Sequence, residues 1–97
     1  MKKTYAKSGK TCRVTFELPE QINAQEVSVV GEFNAWDKEA NLLVKRKDGR
    51  FSGSLSLEVG KEYRYRFWVD DERWENDWDG EKYFTNEFGS EDSVIAV

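Results

Sequence analysis

The chain has 97 residues, of which 38% are hydrophobic, 35% are charged and 14% are aromatic. This length predicts one small domain, and the many rings predict a folded chain, because disordered segments are poor in aromatic residues. One cysteine, no histidine and a formal net charge of −4 exclude an internal disulfide and histidine-dependent catalysis, and they argue against nucleic acid as a partner.

The predicted elements begin after residues 1–10, which are basic, lack hydrophobic alternation and are expected to form a flexible N-terminal tail. Apolar residues then alternate with polar ones over Thr11–Leu18, which predicts a half-buried strand. Its Cys12 falls on the apolar face, so it is interpreted as a small core residue rather than a nucleophile. A second strand is predicted over Val27–Gly31.

The second half of the chain carries the clearest strand signals. Asp48-Gly49 predicts a tight hairpin turn, because this pair readily adopts the positive φ values that such turns need. Strands follow over Phe51–Leu57, Glu62–Val69 and Ser93–Val97. Short strands at this spacing, with no helical periodicity, predict one all-β domain over residues 11–97, an antiparallel β-sandwich or a small barrel.

Three groups of residues are left over from the predicted core. The segment Gly31–Trp36 carries an indole into a loop, and the segment Trp74–Gly80 places two more indoles among acids. The polar face of the central strand holds Arg64, Arg66 and Trp68. Four tryptophans exceed what one small core usually needs, so we expect some of them to form an exposed binding surface.

Indoles flanked by polar side chains suit a sugar ligand. A sugar ring packs its C–H groups on an aromatic face, while its hydroxyls need fixed donors and acceptors. Trp36 with Asn34, and Trp74 with Arg66, would supply both parts of this chemistry.

Four parts of the chain together resemble the family 48 carbohydrate-binding modules: Gly31–Trp36, Tyr65–Asp70, Trp74 and Phe88–Val94. These modules are early-set, immunoglobulin-like domains that precede the catalytic barrel of isoamylases and glycogen branching enzymes. The glycogen-binding domain of the AMP-activated kinase beta subunit belongs to the same family. The resemblance implies an immunoglobulin-like sandwich of about seven short strands and a non-catalytic module that binds α-glucans of the glycogen or starch type.

The resemblance also implies which residues bind the sugar. The two stacking tryptophans of the family match Trp36 and Trp74, and its strand lysine matches Arg66, which remains a cation. The family's C-terminal loop touches sugar through a small apolar residue, a hydroxyl and an amide, and these positions match Phe88, Ser90 and Asp92.

This chain departs from the family pattern at several positions. Asp92 replaces the usual amide, and Asp70-Asp71 stands where the family has Asp-Gly. Trp78 stands where the family commonly has proline, and it is expected to extend or replace the indole platform.

The sequence leaves other functions open. Exposed tryptophan and arginine are also typical of protein interfaces, so the alternative is a docking module that acts in trans on a glycogen- or starch-active enzyme. Glu75, Asp77 and Asp79 could serve a glycosidase, but a small sandwich offers no deep cleft to raise a carboxyl pKa. The same acids resemble half of a calcium loop, but its twelfth position is Asn86. We therefore expect no enzyme, metal or cofactor.

No apolar run is long enough for a membrane span or a secretory signal. A cytoplasmic location and no membrane partner are therefore expected.

Overall fold

The chain forms nine β-strands in a computed structural model that describes all 97 residues. The strands are β1 Lys2–Tyr5, β2 Thr11–Leu18, β3 Val27–Gly31, β4 Val44–Lys45, β5 Phe51–Glu58, β6 Glu62–Val69, β7 Arg73–Glu75, β8 Lys82–Thr85 and β9 Glu91–Ala96. Two short 3-10 helices cover Glu20–Ile22 and Glu32–Asn34. None of the helical segments has the length and apolar character needed to cross a membrane.

The strands form two antiparallel sheets that pack as a sandwich, which confirms the predicted all-β fold class. The first sheet has the order β1-β2-β5-β4, and the second has the order β3-β6-β9-β8. In the second sheet β6 changes partners along its length, because Glu62–Tyr65 pair with β9 whereas Phe67–Val69 pair with β7. Strand β6 is therefore the centre of the second sheet.

The core lies between the sheets and is built from the inward-facing positions of β2 and β6. The ring of Phe16 packs edge-on against Tyr65, with centroids 5.1 Å apart, and against Phe67, with centroids 6.4 Å apart. Cys12 is fully buried in the same cluster, as predicted. Because successive side chains of a strand point to opposite faces, one face of β6 is buried in this core and the other lies on the outside of the second sheet. The outer face carries Arg64, Arg66 and Trp68.

A buried hydrogen bond fixes the segment that follows β7. The hydroxyl of Tyr65 donates to Oδ2 of Asp77 at 2.6 Å, and the backbone N–H of Asp77 donates to Oγ of Ser93 at 2.9 Å. Burial and the neighbouring Asp77 carboxylate raise the pKa of Tyr65 well above its ordinary value. The phenol therefore stays protonated at pH values at which a free tyrosine would ionise.

The N-terminal segment differs from the flexible tail expected over residues 1–10. Lys2–Tyr5 form β1, which pairs antiparallel with β2 in the register Lys2↔Thr15 to Tyr5↔Cys12. The Nζ of Lys3 donates to Glu81 at 2.6 Å and to the backbone oxygen of Ala96 at 2.7 Å. The segment has no apolar alternation because backbone pairing with a sheet edge and polar contacts hold Lys2–Tyr5 in place. Met1, just before this strand, packs its side chain against the core.

A tight turn joins β6 to β7 at the position where Asp70-Asp71 replaces the Asp-Gly expected from the resemblance. Both residues have positive φ, 52° and 55°, and the N–H of Glu72 donates to the oxygen of Val69 at 3.1 Å. Aspartate tolerates the left-handed region better than most residues, so the turn forms without glycine. Oδ1 of Asp70 also accepts hydrogen bonds from the backbone N–H groups of Gln25 at 2.7 Å and Glu26 at 2.9 Å.

The turn makes the protein sensitive to acid. The N–H groups of Glu26 and Gln25 lower the pKa of Asp70 below its ordinary 3.8. A carboxyl with a lowered folded pKa stabilises the fold above its unfolded pKa, and the contribution is lost as the pH falls through the lower folded value. We expect Asp70→Asn, which keeps an acceptor but no charge, to be less stable than the wild type at neutral pH.

This difference in free energy of unfolding should shrink towards zero as the pH falls below 3.8 and through the lower folded pKa of Asp70, measured by urea denaturation at each pH. Glu20→Gln is the control, because this exposed carboxylate accepts no hydrogen bond. A difference between the wild type and Asp70→Asn that did not change with pH would show that the ionised Asp70 carboxylate does not stabilise the fold.

Candidate functional site

An open cleft of about 610 Å³ lies against the outer face of the second sheet. We call it the indole cleft, and its lining residues are Glu32, Trp36, Arg64, Arg66, Trp74, Asn86, Glu87, Phe88 and Asp92. The structure therefore brings together five of the eight residues proposed from the sequence, namely Trp36, Arg66, Trp74, Phe88 and Asp92.

The loop after β3 carries Trp36 into the cleft. At its start a Cβ on Gly31 would lie 2.5 Å from the backbone oxygen of Arg64, so only glycine allows this approach of β3 to β6. Ala35 and Trp36 both adopt left-handed φ values, 56° and 58°, and the N–H of Trp36 donates to the oxygen of Gly31 at 2.9 Å. Left-handed backbone costs an alanine or a tryptophan about 1 kcal/mol or more, and strain of this kind is typical of functional loops.

The structure places Asn34 outside the cleft, where its amide holds this loop together. Oδ1 accepts a hydrogen bond from the N–H of Gly31 at 3.0 Å. Nδ2 donates to the oxygen of Val29 at 3.0 Å and to Oδ1 of Asn41 at 2.7 Å. The amide therefore positions Trp36 through the backbone, and the structure does not bring it to the sugar contact expected from the sequence.

Trp74 lies opposite Trp68 in the β6–β7 register, and the two indoles pack together. Their ring centroids are 4.7 Å apart and their planes are tilted by 55°. Trp68 is anchored at its edge, because Nε1 donates to Oδ1 of Asp71 at 3.0 Å. Trp74 is 38% exposed, as is Trp36, so each indole offers surface to solvent.

Arg66 is held rigidly within the cleft. Its Nε lies 3.0 Å from Oδ1 of Asp92, and Nε and Nη2 donate to the backbone oxygen of Glu91 at 3.0 and 2.8 Å. Asn76 donates to the same oxygen at 2.9 Å. Asp92 is almost fully buried, so its carboxylate positions the guanidinium, and Nη1 of Arg66 is left free of these contacts.

The loop between β8 and β9 is organised by Asn86, which the sequence did not single out. Its Oδ1 accepts hydrogen bonds from the N–H of Phe88 at 2.9 Å and of Ser90 at 3.2 Å, and its Nδ2 donates to Oδ1 of Asp92 at 3.3 Å. Gly89 completes the turn with φ of 81°. An asparagine three residues before a glycine is a turn signal that could have identified it.

This loop exposes Phe88, whose exposed fraction is 84%. Ser90 lies on the same loop but does not line the cleft. Three other residues line the indole cleft although the sequence analysis did not include them among the sugar contacts: Glu32, Arg64 and Glu87. Of these, Arg64 could have been found, since it lies two positions from Arg66 on the same face of β6.

Trp78 lies away from the indole cleft. It is 56% exposed and lines a separate cleft of about 320 Å³ together with Leu18, Pro19 and Arg50. The structure therefore does not join Trp78 to the surface formed by Trp36 and Trp74. Its neighbour Asp77 is buried and engaged with Tyr65.

An open cleft with two exposed indoles and a fixed guanidinium, on the outside of a small β-sandwich, defines a binding module. Residues 12–97 match the family model described as the glycogen recognition site of AMP-activated protein kinase. The chain therefore belongs to this family of carbohydrate-binding modules, which confirms the resemblance found in the sequence.

The chain is also similar to a 1,4-alpha-glucan branching enzyme, GlgB, of Aquifex aeolicus (strain VF5). The two are 39% identical over 56 residues, which cover 55% of this chain and 9% of the enzyme. The matched segment is thus a small part of that relative's length.

The hydrogen bonds of Asn34 predict a structural role for it. We expect Asn34→Ala to lower the free energy of unfolding by about 1–3 kcal/mol, because the N–H of Gly31 and the oxygen of Val29 lose their side-chain partner. Urea denaturation measures this loss. Ser90→Ala is the control, since its hydroxyl forms no hydrogen bond within the chain, and it should change stability by less than about 0.5 kcal/mol. Equal losses in the two variants would show that Asn34 does not hold the loop.

Proposed function

We propose that this module binds α-glucan chains of the glycogen or starch type and has no catalytic role. One observation carries the proposal: Trp36 and Trp74, from separate parts of the chain, line the same open cleft as Arg66. The guanidinium of Arg66 is held there by the Glu91 backbone oxygen and the Asp92 carboxylate. Membership of the glycogen-recognition family supports an α-glucan as the ligand. The similarity to a glucan branching enzyme points to the same class of sugar.

The two indoles would supply the stacking surface. Each ring would pack against the C–H groups of a glucose unit, as aromatic rings do with other apolar faces. Because the rings come from separate elements, they would hold two points along one curved chain rather than a single sugar. The family resemblance assigns stacking to these same two positions.

The polar lining would pair with sugar hydroxyls. Arg66 and Arg64 offer donors, Asn86 offers the second N–H of its amide, and Glu32 and Glu87 offer acceptors. A hydroxyl left unpaired on binding costs about 1–3 kcal/mol, so these groups are as necessary as the indoles. The fixed position of Arg66 against Glu91 and Asp92 reduces the entropy that binding would otherwise cost.

Binding at an open cleft is expected to be weak. Solvent reaches the bound chain, and only part of each sugar ring is buried. We expect a dissociation constant between about 10 μM and 1 mM, which corresponds to about −4 to −7 kcal/mol.

A second candidate function is docking on a glycan-active enzyme in trans. One observation favours it: Trp78 is exposed beside Arg50 in a cleft separate from the proposed sugar site. Exposed tryptophan and arginine are typical of interface hot spots. Docking through Trp78 would leave the indole cleft free for glucan.

The stacking role predicts that removing both indoles strongly weakens binding. We expect Trp36→Ala/Trp74→Ala to weaken glycogen binding by more than about tenfold, since each aromatic contact contributes about 1 kcal/mol or more. Pull-down on glycogen, with circular dichroism to verify folding, measures this change.

Trp78→Ala is the matched control, because it removes an exposed tryptophan outside the cleft and should leave the pull-down unchanged. If the folded double variant binds glycogen like the wild type, the indole cleft is not the sugar site.

A further inference from the structure

A second cleft of about 400 Å³ is lined by Trp68, whose ring packs against Trp74. We call it the Trp68 cleft, and it is lined by Trp68 together with Glu26, Lys38, Glu39 and Leu42. The proposed function does not use it, and it shares no lining residue with the indole cleft. The two clefts are nevertheless neighbours, because Trp68 packs on Trp74 with ring centroids 4.7 Å apart.

We propose that the Trp68 cleft is an extension subsite for α-linked glucose units, so that a chain bound in the indole cleft continues across Trp68. This inference rests on the proposed function. It makes the module selective for chain length, because short oligosaccharides fill the indole cleft alone whereas longer ones reach both clefts.

The shape of the indole pair suits a curved chain. The planes of Trp68 and Trp74 are tilted by 55°, so the two rings form a bent surface rather than a flat one. The hydrogen bond from Nε1 of Trp68 to Asp71 fixes the edge of the ring, and the tight β6–β7 turn fixes its register with Trp74. Because the two rings are already fixed in the free protein, binding costs little side-chain entropy.

The polar groups of the Trp68 cleft suit sugar hydroxyls. The carboxylates of Glu26 and Glu39 are acceptors, and the ammonium of Lys38 is a donor with three N–H groups. In the free protein, Nζ of Lys38 lies 3.8 Å from the centroid of Trp68 and 5.2 Å from that of Trp74.

Such a cation–π contact is weak in solvent, and the lysine stem is flexible. An incoming glucose unit would therefore take the place of the ammonium on the ring, and Lys38 would donate to its hydroxyls from the side.

The test compares maltotriose with maltoheptaose by isothermal titration calorimetry. In the wild type we expect maltoheptaose to bind more tightly. In Lys38→Ala/Glu39→Ala, loss of a donor and an acceptor should weaken maltoheptaose by about fivefold. Maltotriose should bind this variant within about twofold of the wild type. The matched control is Lys47→Ala/Glu20→Ala, an exposed pair outside both clefts, which should change neither affinity.

Each other result would overturn the extension subsite. Unchanged maltoheptaose binding in Lys38→Ala/Glu39→Ala would show that the sugar chain does not reach the Trp68 cleft. The proposed function of the indole cleft would still stand. Equal weakening of both sugars would show that these residues act on the indole cleft itself. If the wild type bound neither sugar, the proposed function would fail and the extension subsite with it.

Discussion

The two-residue alternation of β6 is the constraint on which the rest of the structure depends. Its inward residues Tyr65 and Phe67 pack against Phe16 in the core. The residues that alternate with them must therefore lie on the outer face of the second sheet. A shift of register by one residue would bury Arg66 and expose the core aromatics, at a prohibitive cost. The hydrophobic effect in the core therefore fixes the orientation of the candidate site on the opposite face.

The neighbours of β6 then place the two indoles. Pairing with β7 sets Trp74 opposite Trp68, and close contact at Gly31 brings the loop of Trp36 to the same face. The polar contacts among Arg66, the Glu91 backbone and Asp92 add rigidity. The site is thus preorganised by packing and hydrogen bonds within the chain, which reduces the entropy that binding a ligand there would cost.

Sequence reasoning identified the elements that bury alternating side chains. The bounds of β2, β3 and β6 were predicted as they occur. In β2 and β6, burial on one face imposes a period that the local sequence reveals, whereas all five residues of β3 are buried. Sequence reasoning missed β1, β4, β7 and β8, none of which contains a buried residue, since backbone pairing at a sheet edge leaves no hydrophobic pattern.

The candidate site was predictable only in part for a related reason. Trp36, Arg66 and Trp74 follow from residue type together with the family pattern. The hydrogen bonds of Asn34 and the separation of Trp78 from the cleft depend on long-range contacts, which residue type does not specify.

The proposed function requires that solvent-exposed indoles of this face contact α-glucan directly. The most direct measurement is the intrinsic tryptophan fluorescence of Trp78→Phe, titrated with maltoheptaose, because this variant leaves indoles only at the face formed by Trp36, Trp68 and Trp74. Direct contact between the sugar and these indoles should give a saturable shift in emission with a midpoint between about 10 μM and 1 mM. Emission that stays constant throughout the titration would contradict it.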